Sequence, residues 1–139
     1  GVPIGATLMT AAVAAAMPPG GHGTTFGGNP LSAAAGLAVL AELRERDLMR
    51  RAVELGARLV AGLRSLRDPR VVEVRGRGLM VGMELSVPAA PVVSALLRAG
   101  VVTSTGGGDT VRFLPPLVIA AEQVDEVVRR VGETLAAQT

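Results

Sequence analysis

The sequence has no cysteine, no lysine, no tryptophan and no tyrosine, and its single histidine is His22. Because the common zinc sites are built from several Cys and His side chains, a metal site is disfavoured. The missing lysine excludes the Gly-Lys-Ser/Thr loop by which many nucleotide hydrolases hold phosphates. A serine triad is also disfavoured, because His22 is the one candidate base and no Gly-x-Ser-x-Gly segment is present. We therefore expect no metal ion and no hydrolase of these kinds.

Aromatic residues are nearly absent as well, since two Phe are the only ones in a chain that is 49% hydrophobic. The core must therefore be built from Val, Leu, Met and many Ala, which favours closely packed helices. Pro, Gly or a charge interrupts every apolar run well short of the roughly 20 residues of a membrane span. No basic segment precedes the apolar start, as a secretory leader would require. These absences predict a soluble, cytoplasmic protein that has no membrane partner.

All 14 basic residues are Arg, and they exceed the 12 acidic residues by only two. Residues 41–77 hold ten of these Arg and six acidic residues, interleaved as they are on a solvated helix face. No aromatic side chain lies among them to stack on a base. We therefore expect no nucleic-acid partner.

The stretch 22–30 is a glycine-rich loop that leads into a helix. It ends in Asn29-Pro30, a side chain that caps helices followed by a residue that pre-sets the first turn. The amides of Gly27-Gly28, the hydroxyls of Thr24 and Thr25, and the positive end of the helix dipole can converge on a phosphate. The alternative is a tight turn that is merely polar, because short glycine motifs have a high false-positive rate.

Hydrophobic periodicity separates an apolar first segment from a helical middle. Val2 to Met9 is apolar nearly throughout, which is typical of a strand buried on both faces, at the end of a larger sheet. Leu31 to Arg46 predicts an Ala-rich helix with Leu37, Leu40 and Leu43 toward the core. Asp47 is a favourable cap for a second helix, in which leucines recur every three or four residues up to residue 66.

The remaining residues predict a small α+β unit with helices on one face of a largely antiparallel sheet. We expect a bulge or a positive φ at Gly76 to Gly78 and a hairpin turn at Gly106 to Asp109. The predicted strands are 71–75, 79–85, 101–103 and 110–114, and the predicted helices are 91–98 and 122–137.

Arg112 lies in a Val-Arg-Phe-Leu segment whose apolar neighbours should restrict its solvation. A guanidinium presented from a rigid strand can hold a carboxylate with two parallel hydrogen bonds. A structural ion pair is at least as consistent with the sequence alone. For the run Arg75 to Gly78 we favour a role in the strand and its turn.

Four segments taken together resemble a known family. They are Gly1–Ala6, His22–Leu31, Val74–Met80 and Val111–Leu117. In order and spacing they are similar to the C-terminal portion of class III, pyridoxal 5'-phosphate-dependent aminotransferases. The nearest branch is the acetylornithine and LysW-aminoadipate-semialdehyde type. The resemblance covers the whole chain and leads us to expect a C-terminal fragment of such an enzyme.

The resemblance implies the type I fold of these transferases, in which an α/β large domain and a small α+β domain assemble as a homodimer. Residues 1–35 would then be the tail of the large, cofactor-binding domain, including the end of its sheet. Residues 36–69 would form connecting spine helices, and residues 70–139 would form the small domain.

The resemblance also implies roles for individual residues. Thr25, with Thr24 beside it, matches the threonine that binds the phosphate of pyridoxal phosphate in the neighbouring subunit. Arg112 matches the arginine that holds a substrate carboxylate. The implied reaction moves an amino group from N-acetylornithine or a similar terminal-amine donor to 2-oxoglutarate, in arginine or lysine biosynthesis, with the cofactor as electron sink.

The sequence departs from the family at the lysine that forms the Schiff base with the cofactor. In the family this lysine lies just before the segment that matches Gly1–Ala6, and this chain has no lysine. We therefore expect no catalytic residue in the chain and no activity from the chain alone. An alternative from another class is a non-catalytic module that binds a phosphate, a carboxylate or a partner subunit through the Thr25 loop and Arg112.

Overall fold

The computed structural model describes residues 2–138, so Gly1 of the first family-like segment and Thr139 lie outside the described residues. The chain divides into two compact units, unit 1 from Gly1 to Arg46 and unit 2 from Asp47 to Thr139. Within residues 2–138, no helix is both long and apolar enough to cross a membrane. The elements in chain order are α1 Ala11–Ala15, α2 Pro30–Glu45, α3 Leu48–Ser65, β1 Val71–Arg77, β2 Met80–Leu85, α4 Ala89–Arg98, β3 Ser104–Thr105, β4 Thr110–Phe113 and α5 Ala121–Ala136.

Unit 1 combines two helices with long irregular segments. α1 begins after Thr10, whose hydroxyl oxygen accepts a hydrogen bond from the Val13 amide at 3.4 Å. The strand predicted over Val2 to Met9 is not formed, and this segment is irregular and exposed. A strand needs a hydrogen-bonded neighbour, and the described residues of unit 1 contain none.

α2 forms where the sequence predicts it, but its apolar side chains are not buried as predicted. Leu37 and Leu40, expected in the core, are 68% and 63% exposed. Ser32 is the one buried residue of the helix. Gly36 faces Ile4, because a Cβ added at Gly36 would lie 3.6 Å from Ile4 Cδ1. The described part of unit 1 therefore leaves most of the apolar surface of α2 exposed.

Unit 2 contains the hydrophobic core, and α3 supplies one side of it. The buried stripe of α3 agrees with the predicted spacing and consists of Leu48, Ala52, Gly56, Leu59 and Leu63. Asp47 does not cap this helix with its side chain, contrary to the prediction. Its backbone has a φ of 48°, and its carboxylate instead accepts a hydrogen bond from Arg50 Nε at 2.5 Å.

The four strands form one sheet in the order β1-β2-β4-β3, and all pairs are antiparallel. α3 packs on β1 and β2, and α4 packs on β3 and β4. α5 packs on α3 and α4. Residues alternate between the two faces of the sheet. The face toward the helices carries the buried side chains of Val74, Val81, Met83, Leu85, Val111 and Phe113. The opposite face, which we call the open face, is exposed or half-buried and carries Glu73, Arg75, Gly82, Glu84, Ser104, Thr110 and Arg112.

β2 begins one residue later than predicted and β4 ends one residue earlier, and larger differences from the predicted boundaries are found at β1 and β3. β1 continues to Arg77, so the turn to β2 is shorter than expected, with Gly78 at a φ of 53°. The prediction of a bulge or a positive φ at Gly76 to Gly78 is confirmed by the φ of Gly78, and the one irregularity of register between β1 and β2 lies elsewhere, between Val71 and Glu73. The strand predicted over 101–103 instead occupies Ser104–Thr105, because those are the residues that pair with β4.

Candidate functional site

The loop of residues 22–29, which we call the threonine loop, is joined to α2 by short-range hydrogen bonds. Asn29 caps the helix, since its Oδ1 accepts from the Ser32 amide at 3.0 Å. Its Nδ2 donates to the Phe26 carbonyl at 2.7 Å and thereby ties the loop to the same cap. Pro30 occupies the first helical position, where no backbone N–H is needed. The loop and the helix N-terminus therefore form one local structure.

Thr24 is engaged within the loop. Its Oγ1 accepts a hydrogen bond from the Gly27 amide at 3.1 Å. The Gly27 amide was predicted to be free for an anion, and this hydrogen bond shows that it is not. A Cβ on Gly27 would lie 2.1 Å from Thr24 Cγ2, so a larger residue at this position would require the Thr24 side chain or the turn to move. The hydroxyl hydrogen of Thr24 is still available to donate, because the contact uses an oxygen lone pair.

Thr25, in contrast to Thr24, makes no hydrogen bond through its hydroxyl within the described chain. The residue is exposed, and neither its hydroxyl nor the Gly28 amide has a hydrogen-bond partner among residues 2–138. The Gly28 backbone has a φ of 69°, a conformation that favours glycine. A hydroxyl, a free amide and the N-terminus of the 16-residue helix α2 are donors that suit an anion. This donor set fits the phosphate group that the family resemblance implies.

Arg112 lies on β4 with its side chain on the open face. Its direct neighbours in register are Gly82 on β2 and Ser104 on β3. Arg112 Nε donates a hydrogen bond to Ser104 Oγ at 3.1 Å. The side chain is exposed, contrary to the expectation of restricted solvation, because Val111 and Phe113 are buried on the other face of the sheet.

Arg75 lies in the same row, on the far side of Gly82, and its electrostatic surroundings differ from those of Arg112. Arg75 Nη1 donates to Glu84 and, at 2.8 Å, to Glu73. These hydrogen bonds raise the pKa of Arg75 above its usual range, and the bond that Arg75 donates to Glu84 has the largest effect. Arg112 has no acidic partner among the described residues. The structural ion pair considered for it is therefore not observed within them.

Ser104 is not among the site residues predicted from the sequence. The hairpin provides a signal, because Thr105 pairs with Val111 and the next pair outward joins residues 104 and 112. The predicted site residues lie in different units, Thr24 and Thr25 in unit 1 and Arg112 in unit 2. No group of three or more His, Cys, Asp or Glu within the described chain could hold a metal ion.

The chain is similar to known aminotransferases in sequence. It is 48% identical over 129 residues to a [LysW]-aminoadipate semialdehyde transaminase of Deinococcus radiodurans, covering 92% of this chain and 30% of that protein. It is 46% identical over 131 residues to acetylornithine aminotransferase 1 of Bordetella pertussis, covering 93% of this chain and 33% of that protein. The chain thus spans about a third of the length of the curated relatives it matches.

Solved structures give the same result. The ornithine aminotransferase of Toxoplasma gondii ME49 matches with a TM-score of 0.83 at 35% identity, over 92% of this chain and 32% of that one. The acetylornithine aminotransferase of Elizabethkingia anophelis matches with a TM-score of 0.81 at 30% identity, over 90% of this chain and 33% of that one. A second structure of the Toxoplasma gondii enzyme has pyridoxal phosphate at partial occupancy in its active site.

These likenesses confirm the predicted fold class, a mixed α/β chain similar to part of an aminotransferase. The sequence model of the family Aminotransferase class-III matches residues 1–135, which is nearly the whole chain. The chain therefore belongs to the class III aminotransferase family.

Proposed function

We propose that this chain is part of a pyridoxal phosphate-dependent aminotransferase that transfers an amino group from a terminal-amine donor to 2-oxoglutarate. The names of the relatives suggest two donors, N-acetylornithine and the amine that corresponds to [LysW]-aminoadipate semialdehyde. The observation that carries the proposal is Arg112. Its two terminal nitrogens have no hydrogen-bond partner within the described chain. The residue lies on β4, whose alternate residues are buried in the core. A guanidinium so placed suits a substrate carboxylate.

The threonine loop supplies the second half of the proposal. Thr25 would donate its hydroxyl hydrogen to a phosphate oxygen of the cofactor, with Thr24 as a neighbouring donor. When bound, pyridoxal phosphate supplies the electron sink for amino transfer, and the chain contributes binding and orientation. We further propose that the phosphate belongs to the cofactor of the partner subunit in a homodimer. That arrangement, the cytoplasmic location and the domain boundaries at residues 35 and 69 stay predictions.

The absence of lysine limits what the chain can do alone. A Schiff base with the cofactor requires a lysine amine, and none of the 139 residues is a lysine. We therefore expect these residues by themselves to catalyse no transamination. The amine has to come from residues outside this chain.

The test is an assay of the full open reading frame that contains these residues. With added pyridoxal phosphate, the purified product should form glutamate from 2-oxoglutarate and N-acetylornithine or ornithine-type donors. An Arg112→Ala variant should lose this turnover while binding the cofactor normally. A folded product that binds no pyridoxal phosphate would contradict the proposal, as would one that transfers no amino group from any of these donors.

A further inference from the structure

Arg112 makes one side-chain hydrogen bond within the described chain, and it goes to Ser104. The donor is Nε and the acceptor is Ser104 Oγ, 3.1 Å away. The two residues are direct register partners on neighbouring antiparallel strands, so the contact is set by the sheet rather than by a flexible loop. Ser104 is the first residue of the two-residue edge strand β3, whose position is fixed by the hairpin turn.

The other neighbours of Arg112 leave its guanidinium room to lie against Ser104. Gly82, opposite Arg112 on β2, has no side chain to compete for that space. Gly106 in the hairpin turn is close as well, since a Cβ added there would lie 3.5 Å from the Cβ of Arg112. Arg75, which lies beyond Gly82 in the same row, donates hydrogen bonds to Glu73 and Glu84, so both acids are already paired.

The contact decides which nitrogens of Arg112 face a ligand. A guanidinium can present either Nε with one terminal nitrogen, or the two terminal nitrogens, as a pair of parallel donors. Because Ser104 Oγ accepts from Nε, the pair Nη1 and Nη2 is the one left for a carboxylate. We propose that Ser104 is a positioning residue, an inference that rests on the proposed function. By accepting from Nε, it directs Arg112 to bind the 2-oxoglutarate carboxylate end-on through its terminal nitrogens.

The experiment compares three variants in the product of the full open reading frame, loaded with pyridoxal phosphate. Ser104→Ala removes the acceptor, and Ser104→Thr keeps a hydroxyl oxygen at the same position. Thr105→Ala is the matched control, since it removes a hydroxyl from the neighbouring residue of β3, which pairs with Val111 and not with Arg112. The readouts are the KM and kcat for 2-oxoglutarate, and the Kd for glutarate by calorimetry, which requires no turnover.

We expect Ser104→Ala to raise both the KM for 2-oxoglutarate and the Kd for glutarate by about fivefold, the effect of one hydrogen bond, with kcat little changed. Ser104→Thr should restore both values, and Thr105→Ala should leave them unchanged. Equal KM and Kd values in Ser104→Ala and wild type would overturn the positioning role. An equal loss in all three variants would also overturn it, because it would indicate a disturbed strand.

Failure of the proposed function gives a different pattern. If Arg112→Ala also leaves glutarate binding unchanged, Arg112 holds no carboxylate, and both proposals fall. If Arg112→Ala abolishes binding and Ser104→Ala does not weaken it, the proposed function stands and only the role of Ser104 is wrong.

Discussion

Arg75 and Arg112 lie two strands apart in one row of the open face, but their surroundings differ in charge. Arg75 is paired with Glu73 and Glu84, whereas the described residues offer Arg112 a neutral hydroxyl and no acid. The first arginine is therefore neutralised within the sheet. The second retains a positive charge for a ligand, which is what a carboxylate site requires.

This difference predicts how Arg112→Lys behaves. Lysine keeps the charge but replaces the planar pair of donors by a single ammonium, so it cannot form two parallel hydrogen bonds to one carboxylate. We expect the KM for 2-oxoglutarate to rise about tenfold or more, the effect of one charge-assisted hydrogen bond. Arg77→Lys is the control, because Arg77 is exposed on β1 and forms no ion pair with a described residue. Steady-state kinetics in which both variants match wild type would refute the bidentate contact.

A second residue-scale prediction concerns two glycines within helices. A Cβ at Gly56 of α3 would lie 2.0 Å from the Gly78 carbonyl oxygen, so α3 or the β1–β2 turn would have to move. A Cβ at Gly132 of α5 would meet only Leu66 Cδ2, at 3.0 Å, the far end of a flexible side chain. Both changes to Ala gain about 1 kcal/mol of helix propensity. At Gly56 the overpacking outweighs this gain.

We therefore expect Gly56→Ala to lower the free energy of unfolding by about 1–3 kcal/mol. Gly132→Ala should change it by less than about 1 kcal/mol, in either direction. Urea denaturation of unit 2 measures both, with an unchanged slope as the check on two-state unfolding. Equal midpoints for the two variants would show that the close approach at Gly56 does not constrain the fold.

At the scale of elements, α5 carries an ion-pair cluster that predicts a dependence of stability on pH. Arg129 and Arg130 both donate hydrogen bonds to the Glu126 carboxylate, at 2.6 Å. These bonds, the one from Arg129 first, lower the pKa of Glu126 from 4.5 to about 2. Because the folded-state pKa is depressed, the stabilisation is present above pH 4.5 and is lost as the pH falls toward 2.

Glu126→Gln should therefore lower the Tm at neutral pH, and the difference from wild type should vanish as the pH approaches 2. The group is exposed to solvent, so the effect is small and about 1 M salt should reduce it further. Thermal melts followed by circular dichroism at several pH values measure this difference. A Tm difference that is independent of pH and salt would mean that Glu126 acts through packing and not through charge.

The element scale also shows what the sequence could predict. The amphipathic stripes of α3 and α5 and the strands β2 and β4 follow from periodicity, because unit 2 buries the faces that the periodicity marks. The segment Val2 to Met9 and the side chains of Leu37 and Leu40 could not be placed in this way. Apolar character predicts burial, but the surface that would bury them is not present among the described residues of unit 1.

At the scale of the whole molecule, the core is unevenly distributed. Among residues 2–138, the buried hydrophobic residues start at Leu48 and all lie in unit 2. Val2 to Met9 leaves apolar side chains exposed, with Leu8 at 98%. We therefore expect amides of residues 2–10 in the isolated chain to exchange on the order of a hundredfold faster than those of β2 and β4. Hydrogen exchange followed by mass spectrometry tests this, and uniform protection in a monodisperse monomer would contradict it.

The candidate site was predictable only in part. Thr25 and Arg112 could be named because each lies in a segment that resembles the family, and the capped helix after the loop follows from Asn29 and Pro30. The engagement of Thr24 with Gly27 and of Ser104 with Arg112 could not be read directly from the sequence. Both depend on backbone geometry, in a turn and in a strand register, that composition does not encode.

If Thr25 binds the cofactor phosphate as proposed, loss of its hydroxyl must weaken the binding of pyridoxal phosphate, and the Kd for pyridoxal phosphate measures this directly. The measurement uses the product of the full open reading frame, with Thr7→Ala as control, since Thr7 is an exposed threonine in the same unit. We predict that Thr25→Ala weakens binding about tenfold or more, the effect of a hydrogen bond to a charged group, and that Thr25→Ser retains most of the affinity. A Thr25→Ala protein that binds pyridoxal phosphate as tightly as Thr7→Ala would show that Thr25 does not bind the phosphate.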